Sequence, residues 1–134
     1  MKFALLALVT VSGLATAQGL RFEDPAAEAW FSVPFEERER LFNLEEIDPE
    51  WAPSTEQAIA EEIAKWNSPP VQLSAADCRE TLCKIVTLWP RNVGLAETGQ
   101  QLSYLRKLGL DHQGQTHDSY EGNHFRWVVV LRRR

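Results

Sequence analysis

The pattern of apolar and polar positions changes its period at Pro70. Before this proline, apolar residues recur three and four positions apart, as in amphipathic helices; after it, they alternate or form short runs, as in strands. The predicted order is helices, strand, strand, helix, strand, strand. Because both strand pairs are predicted to be hairpins, we expect an α+β fold: N-terminal helices followed by a two-layer β-β-α-β-β part with a largely antiparallel sheet.

The first two helices are predicted from a cap and from apolar spacing. Asp24-Pro25 joins an N-cap residue to a proline suited to the first helical position, and predicts a helix over residues 26–31. A second helix is predicted to start at Ser32. The residues that recur on its inward face are Phe35, Arg38, Leu41 and Phe42.

The third helix carries a capping-box pattern. Asp48-Pro49 and Ala52-Pro53 are predicted to interrupt the chain before it. Ser54 is then predicted as the N-cap and Gln57 as its capping-box partner. The apolar stripe of this helix consists of Ile59, Ile63 and Trp66.

Two strands joined by a short turn are predicted after Pro70. The first covers residues 71–77 and the second residues 82–89, with Arg79, Glu80 and Thr81 as the turn. Strict alternation predicts two distinct faces for the second strand. One face carries Cys83, Ile85, Thr87 and Trp89, and the other carries Leu82, Lys84, Val86 and Leu88.

The last third of the chain predicts a helix followed by a second hairpin. Leucines at helical spacing predict a helix over residues 93–108, with Gly109 as its stop. Residues 110–120 are polar and tolerate strand structure, and residues 121–123 form a turn. The final strand, residues 124–131, is almost wholly apolar, so we expect burial on both faces or a central strand covered by helices.

Composition indicates the size class of the protein, and the first residues indicate where the protein is located. With 134 residues, 44% hydrophobic and 25% charged, the chain has the size and balance of one globular domain. Lys2 precedes an apolar run over residues 3–11, and Ala15-Thr16-Ala17 fits a signal-peptidase site. The run is shorter than the roughly 20 residues of a membrane span. We therefore predict a signal peptide over residues 1–17, and a periplasmic or secreted product without a membrane span.

Charge divides the remaining chain into two parts, which we expect to pack as one domain. Residues 18–70 hold 13 acidic and 4 basic residues, whereas residues 71–134 hold 6 acidic and 9 basic ones. Two interpretations follow: attraction between an acidic helical part and a basic sheet, or an acidic face for a basic partner. The formal net charge of −5 and the absence of phosphate-binding motifs argue against nucleic acid as a partner.

Cys78 and Cys83 are the two cysteines of the chain. In an oxidising compartment a disulfide is favoured, and the C-x4-C spacing fits the two arms of a tight hairpin. Closing so short a loop stabilises by about 2 kcal/mol in the chain-entropy model. A redox pair and a metal site are the alternatives, although the reactive spacing is usually C-x-x-C.

Residues 77–83 form a D-C-R-x-T-x-C motif. Together with the acidic, tryptophan-bearing helical region before it, this motif resembles one in small exported proteins of proteobacteria that have no assigned activity. The resemblance implies export and a cystine, and it implies no catalytic residue.

All three histidines lie between His112 and His124, and this segment suggests a zinc site. With the cysteines, the candidate ligands are Cys78, Cys83, His112 and His117. The separation of 28 residues between Cys83 and His112 is unlike a compact zinc finger. His112 and His117 are also an odd number of residues apart, so a regular strand directs them to opposite faces unless a bulge intervenes.

The same segment suggests a small hydrolase. Its candidate residues are His117 or His124 as general base, Asp118 or Glu121 as the acid, and Ser119 or Tyr120 as the attacking or donating hydroxyl. No nucleophile elbow surrounds Ser119, however. The sequence therefore favours an exported, non-catalytic binding, regulatory or accessory protein without a cofactor. We expect Arg79 and Glu80, at the tip of the disulfide hairpin, to contact its protein partner.

Overall fold

The computed structural model describes residues 25–66, 70–92, 95–111 and 116–134. The predicted signal peptide, the Asp24 cap and His112 lie outside these residues. The helices are α1 (Pro25–Phe31), α2 (Phe35–Leu44), α3 (Trp51–Ile63) and α4 (Leu95–Ser103), and α4 continues into a 3₁₀ helix (Tyr104–Leu108). The strands are β1 (Gln72–Cys78), β2 (Leu82–Pro90), β3 (Leu110–Asp111), β4 (Thr116–Glu121) and β5 (His124–Arg133).

Every described strand pair is antiparallel. β1 pairs with β2 and β2 with β5, while β4 and β3 pair with successive stretches of the other edge of β5. Gly122, at a φ of 61°, lies in the turn between β4 and β5, and Gly109, at 83°, ends the 3₁₀ helix. The predicted α+β fold, with N-terminal helices followed by an antiparallel sheet, is confirmed.

β5 is the central strand, as its apolar run predicts. Alternate residues enter two separate cores on the two faces of the sheet. Phe125, Trp127, Val129 and Leu131 enter the larger core, whereas Val128 and Val130 enter the smaller one. A strand that is buried on both faces has no polar alternation, which explains the near-continuous hydrophobic stretch.

The helices cover both faces of this sheet. α3 and the end of α4 build the larger core, with Ile59, Ile63 and Leu102 fully buried against Ile85 and Trp89 of β2. α1 and α2 build the smaller core on the opposite face, with Trp30, Phe35 and Phe42 against Leu82 and Val86. The β-β-α-β-β part therefore has one helix across one face, as expected, and α1 and α2 cover the other.

The start of α3 differs from the prediction. Asp48 Oδ1 accepts the N–H groups of Glu50 (2.9 Å) and Trp51 (3.0 Å), and the Asp48 carbonyl accepts that of Ala52 (2.9 Å). Asp48 thus caps this end, with a proline at the next position. Ser54 lies inside the helix and donates to the carbonyls of Glu50 and Trp51, so its predicted role as N-cap is wrong.

A fully buried arginine joins α1 and α2 to the sheet. The guanidinium of Arg38 donates to the carbonyls of Trp30 (2.6 Å), Val33 (3.0 Å) and Val130 (3.1 Å), and lies 4.4 Å from the ring centre of Trp30. Burial lowers the pKa of Arg38 to about 10, so the group is still charged at neutral pH. The Arg38 side chain therefore joins α2, and the segment that precedes it, to β5.

Candidate binding site at the disulfide hairpin

The disulfide closes the hairpin of β1 and β2. Cys78 and Cys83 are directly paired in the strand register, their Cα atoms are 4.0 Å apart, and both residues are fully buried. The predicted disulfide is confirmed. Because the two sulfur atoms are bonded to each other, neither residue is a thiolate ligand in this structure. The zinc hypothesis loses these two ligands.

A glutamate from the segment between α2 and α3 holds the tip of this hairpin. Glu45 Oε1 accepts the N–H groups of Thr81 (2.8 Å) and Leu82 (3.1 Å), and Oε2 accepts the Thr81 hydroxyl. Arg79 completes the arrangement by donating from Nη1 to the Glu45 carbonyl at 3.0 Å. We call Glu45, Arg79, Thr81 and Leu82 the hairpin clasp. The clasp joins the helical part to the sheet at sequence separations of 34 to 37 residues.

Arg79 and Glu80 point in different directions. The Arg79 guanidinium lies 4.4 Å from the ring centre of Phe42, its Nε is 3.6 Å from an Asp77 oxygen, and only 23% of the side chain is exposed. Glu80 is exposed, and its carboxylate accepts the N–H of Glu46 at 3.4 Å. Arg79 therefore has an internal structural role, which the sequence did not predict. A contact of either residue with a partner stays a prediction.

Arg133, the last residue of β5, also contacts the hairpin tip and the start of α3. Arg133 donates its backbone N–H to the Thr81 carbonyl (2.6 Å) and Nη1 to the Glu80 carbonyl (3.2 Å). Its guanidinium lies 4.5 Å from the ring centre of Trp51 and 3.6 Å from an Asp48 oxygen. The N–H groups of Trp51 and Glu50, together with Arg133, hold the pKa of Asp48 below its usual value.

The C-terminal arginines are held against the rest of the fold by specific contacts. Arg132 and Arg133 belong to β5. Arg132 contacts an Asp111 oxygen at 2.7 Å. Arg134 donates its backbone N–H to the Gly109 carbonyl at 2.8 Å, and its side chain donates to the Arg106 carbonyl at 2.8 Å. These contacts hold the chain terminus against β3 and the 3₁₀ helix.

Two large apolar side chains are exposed beside the clasp. Leu44 is 68% exposed and Ile47 is 61% exposed, on either side of Glu45 and Glu46. We call Leu44, Glu46, Ile47 and Glu80 the tip surface. Its backbone is fixed at one end by α2 and at the other by the Asp48 cap. Sequence analysis missed Leu44 and Ile47, although both are apolar residues within an acidic run and outside the predicted helical stripes.

The candidate hydrolase residues all belong to the hairpin of β4 and β5. The register places His117 opposite Val128 and Glu121 opposite His124, while the side chains of His117 and Glu121 lie outside the described part. Ser119 and His124 are both exposed, and no hydrogen bond joins them.

The described side chains around His124 can be examined for a catalytic partner. Its side chain lines a shallow cavity of about 180 Å³, together with Pro70, Val71, Gln72, Leu88 and Pro90. It forms no hydrogen bond or ion pair with the described residues. The structure therefore shows no base and hydroxyl pair for the hydrolase hypothesis within the described segment.

Within the residues that the structure describes, no three or more His, Cys, Asp and Glu side chains are grouped so that they could hold a metal ion. In the same residues, no helix has the length and apolar character needed to cross a membrane.

The chain matches no protein-family model, no curated protein and no solved structure. The resemblance of the D-C-R-x-T-x-C motif to exported proteobacterial proteins therefore remains an expectation. The functional assignment depends on the geometry around the disulfide hairpin.

Proposed function

We propose that this protein is an exported, non-catalytic binding module, a regulator or accessory subunit, and that its tip surface binds a basic segment of a protein partner. The disulfide supports export, because such bonds persist mainly in oxidising compartments. The signal-peptide pattern of residues 1–17 supports it independently. The small stapled domain then acts through its surface.

The exposure of Leu44 and Ile47 on a fixed segment is the observation that carries this proposal. Single exposed apolar residues are ordinary on protein surfaces, but two within four positions form a local apolar contact area. Because Glu45 and Asp48 already fix the backbone, little conformational entropy is lost when a partner covers this area. A preordered turn of this kind favours binding.

Charge defines the chemistry of the partner. Glu46 and Glu80 are exposed next to the two apolar residues, and Glu50 is exposed a few residues further on. Acidic groups around an apolar contact attract a basic partner, and they give association a strong dependence on salt concentration. Arg79 lies behind this surface and acts by positioning the turn.

The proposal is tested with a photo-crosslinking amino acid at position 47 of the full chain, expressed in its native host. We expect one dominant adduct to a partner with a basic contact segment, weakened by high salt and by Glu80→Lys. The matched control is the same amino acid at Tyr120, which is 62% exposed and lies on the other hairpin. Equal adducts from both positions, or an adduct insensitive to Glu80→Lys and salt, would contradict the proposal.

Export is tested separately. We expect the full chain to be processed in its host to a product that begins at Gln18. Its intact mass should be two hydrogens lower than that of the reduced chain, because of the Cys78–Cys83 bond. A cytoplasmic product that retains Met1 would contradict export, whatever the crosslinking result.

A further inference from the structure

β1 lies at an edge of the sheet. Among the described strands it pairs with β2 alone, so no described strand covers its other side. Its exposed residues are Gln72, Ser74, Ala75 and Asp77. Unpaired N–H and carbonyl groups on such an edge are a template for a strand of another chain, and proteins usually carry features that prevent this pairing.

The register shows which main-chain groups of β1 point outward. Cys78 is paired with Cys83 at a Cα separation of 4.0 Å. A pair this close is of the non-hydrogen-bonded kind, in which the main-chain groups point away from the partner strand. The Cys78 N–H group therefore points away from β2. Because the pattern alternates, the N–H and carbonyl groups of Ala76 point the same way.

A glutamate of α3 occupies this outer side. Glu56 is partly buried, and its Oε2 accepts the Cys78 N–H at 2.8 Å, which agrees with the outward direction of that group. A strand added here would place a main-chain carbonyl at the position of this carboxylate oxygen. It would also remove the Glu56 charge from water, which is unfavourable in free energy. The carboxylate therefore opposes strand addition both by occupancy and by charge.

A β-bulge interrupts the other half of the edge. The register with β2 shifts between Leu73 and Ala75, so Ser74 has no directly paired residue. A bulge bends its strand and disrupts the regular ladder that an added strand needs. The outward groups of Ala76 lie between the bulge and Glu56. One carboxylate therefore controls the regular end of this edge.

We propose that Glu56 blocks strand pairing at this edge and thereby prevents the chain from associating with itself through β1. Without this carboxylate, β1 pairs antiparallel with β1 of a second copy about a twofold axis at Ala76. The N–H of each Ala76 then bonds to the carbonyl of the other, and Asp77 lies opposite Ala75 and not opposite another acid. The proposal is independent of the tip surface, which contains neither Glu56 nor a residue of β1.

The first test measures self-association by sedimentation equilibrium over the micromolar to millimolar range. We expect Glu56→Ala to associate at least about tenfold more tightly than the native chain. Glu61→Ala is the matched control, because it removes an exposed acid of the same helix, and it should behave as the native chain does. This control separates the loss of the Cys78 contact from the loss of one negative charge.

A second variant tests whether the association uses β1. Ala76→Pro removes an outward N–H group and no hydrogen bond to β2, and proline is tolerated on the unpaired side of an edge strand. We expect Glu56→Ala/Ala76→Pro to lose the added association. Thermal unfolding verifies that each variant is folded.

Amide hydrogen exchange tests the same contact in the native chain. We expect slow exchange at Cys78, whose N–H is bonded to Glu56, and fast exchange at Ala76. In Glu56→Ala, the Cys78 amide should exchange fast at low concentration, and the Ala76 amide should become slow as the chains associate.

Three results would overturn the proposal. They are association of Glu56→Ala no tighter than that of Glu61→Ala, persistence of the association in the double variant, and equal exchange at Cys78 and Ala76 in the native chain. The last measurement needs no variant, so the proposal is tested even if Glu56→Ala does not fold.

Discussion

Arg38 shows how far one residue can be predicted from the sequence. Its position among Phe35, Leu41 and Phe42 predicts an inward direction, and the structure confirms complete burial. Its acceptors could not be predicted, because they are main-chain carbonyls of α1, of the loop before α2 and of β5, at separations of up to 92 residues. Because every residue has a main-chain carbonyl, the residue types do not indicate which carbonyls Arg38 contacts.

Substituting Arg38 should strongly destabilise the fold. Arg38→Met keeps an unbranched chain but removes three hydrogen bonds donated by a charged group, each worth about 1.5–3 kcal/mol, although the Trp30 carbonyl still accepts the Val33 N–H. We expect the free energy of unfolding in urea to fall by at least about 3 kcal/mol. Arg40→Met is the control, because Arg40 is exposed and pairs only with Glu37 of the same helix; we expect a change below about 0.5 kcal/mol. Similar losses in both variants would contradict this account.

Glu45 is the second residue whose role depends on tertiary contacts. Glu45→Ala removes the acceptor for two backbone N–H groups and one hydroxyl of the hairpin tip. We expect a loss of about 1–2 kcal/mol, together with faster amide hydrogen exchange at Thr81 and Leu82. Glu46→Ala, at the neighbouring exposed position, should change neither. Unchanged exchange at Thr81 in Glu45→Ala would show that the clasp does not order the tip.

At the scale of elements, prediction succeeded where the signal was local. The C-x4-C spacing and the alternation of residues 82–89 predict the β1–β2 hairpin, its disulfide and both faces of β2, which the structure has. The start of α3 was mispredicted because two cap patterns compete. The Ser54 pattern is complete in sequence, but Asp48-Pro49 provides the same capping chemistry earlier, and Arg133 of β5 adds an ion pair to it.

Removing the disulfide should destabilise the hairpin without changing its register. Cys78→Ala/Cys83→Ala releases a loop of sequence separation 5, whose closure accounts for about 2 kcal/mol, and also removes two buried sulfur atoms. We expect dithiothreitol to lower the unfolding temperature of the native chain. The double variant should unfold at the same lower temperature whether dithiothreitol is present or not. If complete reduction leaves the unfolding temperature of the native chain unchanged, the disulfide does not stabilise the fold.

At the scale of the whole molecule, charge connects the two parts of the chain. Among the residues that the structure describes, three ion pairs cross between them: Glu39 with Lys84, Asp48 with Arg133, and Glu62 with Lys107. These pairs support the interpretation that the acidic helical part attracts the basic sheet part. The sequence predicts the imbalance, but it does not show which acids pair internally and which, such as Glu46 and Glu80, are exposed at the tip surface.

The paired acids make stability depend on pH in a defined direction. Burial raises the pKa of Glu62, but the Trp66 Nε1–H group and the ammonium groups of Lys107 and Lys65 outweigh it and lower the pKa below 4.5. The pKa of Asp48 is also lowered, from 3.8, by the N–H groups of Trp51 and Glu50 and by Arg133. Because the folded-state pKa values lie below the unfolded ones, this stabilisation is present above the unfolded pKa and is lost on acidification.

Acid should therefore weaken the fold through identifiable groups. We expect the urea midpoint of the native chain to be highest near neutral pH and to fall as the pH decreases through about 4.5 and below. Glu62→Gln should lower the midpoint at neutral pH and flatten this acid dependence, since the amide cannot be protonated in this range. Glu61→Gln, an exposed neighbour on α3, is the control and should follow the native curve. If Glu62→Gln loses stability with acid as steeply as the native chain does, the contacts of Glu62 with Trp66, Lys65 and Lys107 do not contribute to the pH dependence. The ion pairs between the two parts of the chain would then have to be weaker than their geometry indicates.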